Sequence, residues 1–310
     1  SYPQLLLYLQ RLAPTPPTPF LPSPHHLFPD FLFCTTMKAA FKFSLGSDIA
    51  PGQVTVGKFD GKHPSLAAAT TTGKLVLHSP HQNSKYQDDA REITGAVRHL
   101  KINNRVTAVA SACLQPMAED RPDSLIIGTE TTLQAYSVEE NRDLFYVEVG
   151  DGISTIVCGH LGGMDTEEED SRGRSSSSAS RKNDSAATSS SSSSASSATA
   201  ATMVPPTVFA GGDLSVHGFN TSGEETYWTV TGGNIGAMAM VDVNGDGSKE
   251  LLVGSDDYEI RAFRGEEVIN ETTESAPVSH LVALQPDGDR PSMYAYGLQN
   301  GTLGVYNGIS

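Results

Sequence analysis

Short apolar runs of four to eight residues recur along most of the chain, separated by glycine, asparagine and aspartate. Such runs between turn residues predict β-strands. Apolar residues spaced three and four apart, as on one face of a helix, are hard to find in the sequence. The pattern therefore predicts an all-β fold.

Several of these runs repeat one pattern: an apolar strand, a glycine, a polar turn, a second strand and an aromatic residue. The repeats are 66–80, 125–138, 207–220, 251–264 and 293–307. The glycines expected to mark the turns, Gly211, Gly254 and Gly297, are 43 residues apart. Gly128 joins the series at a spacing of 44 when the 39 residues of 165–203 are set aside. A period of about 40–45 residues with several strands per unit predicts a β-propeller.

The repeat count predicts an incomplete propeller, with four full units from about 51 to 275 and a partial fifth from 276 to 310. A closed propeller has four to eight blades, so we interpret the chain as a fragment with about four to five blades. Residues 39–46 are interpreted as a lone strand before the first unit. An open arc is expected to expose strand edges and an apolar face.

Two segments fall outside the repeat. Residues 1–36 are rich in proline, which disfavours both helix and sheet, and we interpret them as a disordered lead. Residues 165–203 are rich in serine and alanine, whose side chains offer little apolar area, and we interpret them as a disordered insertion. The propeller domain is therefore predicted to span 37–310, interrupted by 165–203.

The charge balance limits the kinds of partner. The chain has 21 lysines and arginines against 36 acidic residues, a formal net charge of −15, which argues against nucleic-acid binding and against a basic face for membranes. Three cysteines without CxxC spacing do not form a disulfide framework. Phosphate-binding and hydrolase motifs such as GxxxxGK[ST], GxSxG and HExxH are absent, so we do not expect an enzyme.

One acidic loop between two predicted strands carries the candidate site. Oxygen-bearing residues occupy its alternate positions: Asp242, Asn244, Asp246, Ser248 and Glu250. Such a series can bind Ca²⁺, which takes six to eight oxygen ligands. Position twelve is Val253 and not glutamate, so the loop is not an EF-hand. In the alternative interpretation, Asp and Asn only stabilise a turn whose unusual backbone angles come from Gly245 and Gly247. A bound ion would be structural.

Long ordered stretches resemble a known family. The resemblance is to the amino-terminal propeller of the Bardet–Biedl syndrome 2 family, whose members are subunits of the BBSome. It is carried by residues 56–81, 125–138, 141–152 and 227–263. The likeness covers most of 37–310, whereas the proline-rich lead and 165–203 have no counterpart in it.

The resemblance implies a seven-bladed propeller, of which this chain holds part, in a coat-like complex that carries membrane proteins into and out of cilia. It also implies a location at the cilium, ciliary membrane, basal body and cytoplasm. The implied partners are other BBSome subunits, especially the Bardet–Biedl syndrome 7 paralogue, with an indirect link to a small Arf-like GTPase and to ciliary membrane cargo.

Three hypotheses for function follow. The first is a non-enzymatic scaffold that presents loops for protein–protein contacts. The second is an extracellular, integrin-like propeller that binds calcium and acts in adhesion. The third is a propeller hydrolase, which should bring acids or histidines together on its inner strands.

Overall fold

A computed structural model describes residues 48–83, 95–102, 104–116, 120–163, 205–284 and 292–308. These ranges contain nineteen strands in five antiparallel sheets and no helix, so nothing within them could cross a bilayer as a helix. The all-β prediction is confirmed. The predicted disordered segments, 1–36 and 165–203, and the lone strand at 39–46 lie outside the described residues and stay predictions.

Each sheet is a meander in which every strand pairs with the strand before it in the chain. The first sheet contains β1 (Ile49–Gly57), β2 (Ser65–Thr70), β3 (Lys74–Asn83) and β4 (Gly95–Lys101). The second contains β5 (Val106–Ala112), β6 (Ser124–Thr129), β7 (Thr132–Ser137) and β8 (Arg142–Glu148). The third contains β9 (Thr155–Gly159), β10 (Thr207–Gly211), β11 (Ser215–Phe219) and β12 (Glu225–Val230).

The fourth and fifth sheets continue the same order. The fourth contains β13 (Ile235–Val241), β14 (Glu250–Ser255), β15 (Glu259–Arg264) and β16 (Glu267–Thr273). The fifth contains β17 (Val278–Ala283), β18 (Met293–Leu298) and β19 (Leu303–Asn307). Four complete units and a partial fifth were predicted from the repeat, and that count is confirmed.

Apolar cores fill the spaces between consecutive sheets, and the first strand of each sheet lies against the first strand of the next. No comparable contact joins the fifth sheet to the first within the described ranges. Sheets that touch through their first strands and fan outwards are the blades of a β-propeller. The fold is therefore a propeller arc of five blades.

The second strand of each of the first four blades is buried on both faces, as β14 illustrates. Leu251 and Val253 pack in the core shared with the third sheet, whereas Leu252 packs in the core shared with the fifth. Because both faces are covered, the strand reads as a continuous apolar run and shows no alternation.

The repeated glycines lie within these second strands and not in the turns, which corrects the prediction from the sequence. A Cβ at Gly254 would lie 2.4 Å from Val278 Cγ1 of the next blade, and a Cβ at Gly128 would lie 2.7 Å from Ile153 Cγ2. A Cβ at Gly211 would lie 3.0 Å from Cγ2 of Ile235, which belongs to the next blade. Each glycine therefore makes room for an aliphatic side chain of the following blade.

The fifth blade exposes the face that the other blades cover. Leu303 pairs with Gly297 as Ile260 pairs with Gly254, so the two residues hold equivalent positions. Ile260 is 2% exposed beneath the fifth blade, whereas Leu303 is 84% exposed. The expected exposed apolar face is thus present on the last blade of the described arc.

Substituting Gly254 by alanine should destabilise the fold by about 1–3 kcal/mol, because the new Cβ overlaps Val278. The matched control is Gly150→Ala, where a Cβ meets nothing within 4 Å and which should change the free energy of unfolding by about 0.5 kcal/mol or less. Urea unfolding measures both. Equal effects at the two positions would contradict the role given to the repeated glycine.

Aspartate at Ile260 should destabilise the fold by at least about 3 kcal/mol, because it places a charge in a closed core. Aspartate at the equivalent, exposed Leu303 should change stability by about 0.5 kcal/mol or less. Chemical denaturation of the two variants tests whether the fifth blade's outer face is uncovered in solution. A large loss at Leu303 would show that something packs there.

Candidate functional site: an acidic loop where three blades meet

The candidate site is the Asp242 loop, residues 242–249, which joins β13 to β14 in the fourth blade, together with Glu250 at the start of β14. Gly245 and Gly247 have φ angles of 76° and 90°, in the left-handed region that glycine adopts without strain. Val243 is fully buried in the core between the fourth and fifth blades. The loop is therefore fixed by its backbone conformation and by one apolar anchor.

Asp242 organises the loop through its carboxylate. Its Oδ1 accepts hydrogen bonds from the backbone N–H groups of Gly245, at 2.7 Å, and Asp246, at 3.2 Å. Its Oδ2 accepts from the N–H of Gly247 at 2.9 Å. Asn244 Oδ1 accepts from the N–H of Asp246 at 3.0 Å. These are the turn-stabilising hydrogen bonds of the alternative interpretation.

Asp246 connects the loop to the neighbouring strand β15. Its Oδ2 lies 2.8 Å from Arg264 Nη1 and accepts a hydrogen bond from Asn244 Nδ2 at 3.0 Å. Its Oδ1 accepts from the N–H of Ser248 at 2.8 Å. Hydrogen bonds from Ser248 and Asn244, followed by the charge of Arg264, lower the pKa of Asp246.

Glu250 lies beneath the loop and is fully buried. Its Oε2 accepts a hydrogen bond from the N–H of Val243 at 3.0 Å, whereas its Oε1 has no hydrogen-bond partner among the described residues. Burial raises the pKa of this carboxyl above its usual value, and the charges of Asp246 and Asp242 raise it further. An ionised carboxylate in this position lacks the pairing that buried charges need.

The backbone of the loop touches both neighbouring blades. Gly162, just after β9 of the third blade, donates its N–H to the carbonyl of Lys249 at 2.8 Å, and Leu161 forms a parallel bridge with Lys249. On the other side, Ser292 donates its N–H to the carbonyl of Asp242 at 3.1 Å. The Asp242 loop is thus a junction of the third, fourth and fifth blades.

The structure places all five predicted site residues, Asp242, Asn244, Asp246, Ser248 and Glu250, in this one loop and at its end. Across the part of the chain that the structure describes, no group of three or more His, Cys, Asp or Glu side chains is arranged to hold a metal ion. The calcium interpretation therefore stays a prediction. Val253 lies inside β14, as expected for a loop that is not an EF-hand.

Two profiles of one family match the chain on either side of the insertion. The profile described as "Ciliary BBSome complex subunit 2, N-terminal" matches residues 55–159, and the corresponding middle-region profile matches residues 237–309. The chain belongs to the BBSome subunit 2 family. The second match includes the whole Asp242 loop, nearly all of the fourth blade and the described fifth blade.

Curated relatives agree with this membership. The "BBSome complex member BBS2" of Homo sapiens is 36% identical over 274 residues, which are 87% of this chain and 32% of that protein. The Danio rerio relative of the same name is 32% identical over 272 residues, covering 86% of this chain and 32% of that protein. The chain spans about a third of the length of these relatives.

One solved structure has a weak likeness to this chain. The crystal structure of "BBS1N in complex with ARL6DN" covers 84% of this chain and 93% of that chain, at 13% identity and a TM-score of 0.37. This likeness is too weak to add to the fold assignment or to the assignment to the BBSome subunit 2 family.

Between the two BBSome subunit 2 matches, the third blade carries a polar cluster that sequence reasoning missed. His217 Nδ1 lies 2.6 Å from Glu225 Oε1, and its Nε2 lies 2.9 Å from Ser215 Oγ. Ser215 Oγ donates to Asp151 Oδ2, at 2.5 Å, in the loop after β8. Only the spacing of Ser215 and His217 was visible in the sequence, since Asp151 is 64 residues from Ser215.

This cluster contains a serine, a histidine and two acids but is not arranged for nucleophilic catalysis. Ser215 is 2% exposed, and its hydroxyl proton is directed to Asp151. A nucleophilic serine must be reachable by substrate and must give its proton to the histidine. The cluster instead links the second blade to the third, and hydrogen bonds from Ser215 and His217 lower the pKa of Asp151.

The raised pKa of Glu250 predicts a pH dependence that its glutamine variant lacks. Folded Glu250 keeps its proton to a higher pH than unfolded Glu250, so the free energy of unfolding should fall as pH rises above about 4.5, the usual value. The slope from one proton is at most about 1.4 kcal/mol per pH unit. Unfolding of wild type and E250Q between about pH 4 and pH 7, without metal, should show the wild type losing stability relative to E250Q. Parallel pH profiles would contradict the raised pKa of Glu250. The variant Glu267→Gln, at an exposed acid of the same blade, provides the control.

Proposed function

We propose that this chain acts as a non-enzymatic scaffold in the BBSome coat complex and supports the trafficking of membrane proteins to and from cilia. Membership of the BBSome subunit 2 family carries the proposal. The architecture supports it, because blades joined by continuous apolar cores hold their loops and outer strands in fixed positions. Surfaces fixed in this way can present contact residues to partner proteins.

The outer strands supply the candidate contact residues. The outermost strands of the first four blades each expose a large apolar side chain: Val97, Tyr146, Trp228 and Val268. Tyr146 on β8 is 56% exposed and Trp228 on β12 is 55% exposed. Aromatic side chains are enriched at protein interfaces, where they bury a large area at a small cost in conformational entropy. Trp228 and Tyr146 are therefore the best candidates for contacts with other subunits.

The proposed partners are the other BBSome subunits, with the Bardet–Biedl syndrome 7 paralogue as a direct neighbour. A small Arf-like GTPase and ciliary membrane cargo would be linked to this chain indirectly, through the assembled coat. The proposed location is accordingly the cilium, ciliary membrane and basal body, with a cytoplasmic pool. The acidic balance of the chain supports protein partners over nucleic acid.

Family membership favours the scaffold over the two other hypotheses. Neither an adhesion propeller nor a hydrolase is supported by the BBSome subunit 2 matches. The Ser215 cluster, in which a hydrolase would have been sought, has its hydroxyl buried and directed to Asp151.

Replacing Tyr146 and Trp228 by alanine should weaken assembly with the other subunits without unfolding the chain. Loss of two exposed aromatic anchors should lower affinity for the partner at least about tenfold. Co-expression with the Bardet–Biedl syndrome 7 paralogue and the remaining subunits, followed by affinity capture and titration, measures this. Thermal unfolding checks that the variant is folded.

The neighbouring residue Tyr227 provides the matched control. It is 4% exposed and packs between the third and fourth blades, so Tyr227→Phe should leave assembly unchanged. Wild-type affinity in the double alanine variant would reject these strands as the contact surface. Failure of the wild-type chain to assemble with any BBSome subunit would reject the scaffold proposal itself.

A further inference from the structure

Glu250 occupies a position where the other blades have small or uncharged residues. The second strand begins with Ser65 in the first blade, Ser124 in the second, Thr207 in the third and Met293 in the fifth. Ser65 and Ser124 are 4% and 3% exposed, so the position is closed to solvent there as well. Within the described blades, a carboxylate stands at this position only in the fourth, beneath the loop that carries the oxygen series.

The carboxylate of Glu250 is directed into the loop. One oxygen accepts the N–H of Val243, the second loop residue, and the other oxygen has no hydrogen-bond partner within the described ranges. A buried carboxylate is stable when it is paired or binds a metal. The unpartnered oxygen of this fully buried side chain is therefore an observation independent of the acidic sequence, and it points to a role as a cation ligand.

The charges and donor types at the loop fit a hard divalent cation. When Glu250 is ionised, it supplies three negative charges together with Asp242 and Asp246. Arg264 supplies one positive charge against them, which leaves a local excess of two negative charges. Carboxylate, amide and backbone oxygens are the ligands that Ca²⁺ takes, in flexible geometry at about 2.3–2.6 Å. Mg²⁺ requires a stricter octahedron and gives up its water reluctantly.

We propose that Asp242, Asn244, Asp246, Ser248 and Glu250 bind Ca²⁺, and that the ion locks the junction of the third, fourth and fifth blades. In the described residues the carboxylates do not converge on one point, and Asp246 Oδ2 is paired with Arg264 at 2.8 Å. Binding exchanges that ion pair for the metal and brings the free oxygen of Glu250 towards it. The hydrogen bonds of Asp242 to the loop N–H groups hold the backbone in a turned conformation for this step.

Locking the loop has a consequence for the adjoining blades. The carbonyl of Lys249, next to Glu250, accepts the N–H of Gly162, and the carbonyl of Gly162 in turn accepts the N–H of Gly265. Gly162 and Gly163 are the last described residues before the serine-rich insertion begins. An ion that fixes the loop would therefore also fix the point from which the insertion leaves the third blade.

Calcium titration of the purified chain tests the proposal directly. Isothermal titration calorimetry should show one Ca²⁺ site. Where amide hydrogen exchange requires release of the ion, Ca²⁺ at 100 times its Kd should slow exchange by roughly 100-fold, and this is to be measured at Gly162, Gly265 and Ser292. Mg²⁺ at the same concentration should have a much smaller effect. Both Asp246→Asn and Glu250→Gln should abolish the calorimetric signal, whereas Glu267→Gln, an exposed acid of the same blade, should keep it.

The wild-type measurements alone can overturn the proposal. No heat and no change in amide exchange with Ca²⁺ up to about 10 mM would mean that the loop is only a hydrogen-bonded turn. An equal response in wild type and in Asp246→Asn, an exposed and conservative change that should not unfold the chain, would place any bound ion elsewhere. Neither result depends on whether the chain assembles with BBSome subunits.

Discussion

The arc depends on one contact that recurs between blades: an aliphatic side chain of one blade packs against a glycine of the blade before it. Ile153 packs against Gly128, Ile235 against Gly211, and Val278 against Gly254. Each contact needs a position without a Cβ, and each sets how close two blades can approach. No blade can bury both of its faces alone, and this contact joins the second to the fifth blades, whereas the first blade has Ala69 at the equivalent position.

The same contact explains which parts of the fold could be predicted from the sequence. A period of about 43 residues is visible because a glycine recurs at the same register in the second to the fifth blades, and the period survives the insertion at 165–203. The position of the glycine was predicted wrongly, because β14 is apolar on both faces and the sequence does not show where such a strand ends. An alternation of apolar and polar residues, which would mark the ends of a strand, occurs only when one face of the strand is polar.

The candidate site was predictable in its residues but not in its environment. The oxygen-bearing side chains at alternate positions from Asp242 to Glu250 can be recognised in the sequence, because they are close together in one loop. The burial of Glu250 and its position beneath Val243 depend on packing between blades and have no local signal. The Asp151–Ser215–His217 link was invisible for the same reason, because residues distant in sequence meet only where two blades meet.

The fourth blade differs from its neighbours in a way that packing alone does not require. Ser65 and Ser124 show that a small hydroxyl residue fits the first position of the second strand, and either would avoid the cost of burying a charge. Glu250 carries that cost in the blade whose loop touches two others, through Lys249 and Asp242. A buried charge of this kind is stable only when something compensates it. The described residues compensate the charge of Glu250 only through the N–H group of Val243 and the more distant Arg264. A cation held by the same loop would supply the remaining positive charge. The burial of Glu250, which is unfavourable for an ionised side chain alone, is thus accounted for when Glu250 is a ligand of the proposed ion.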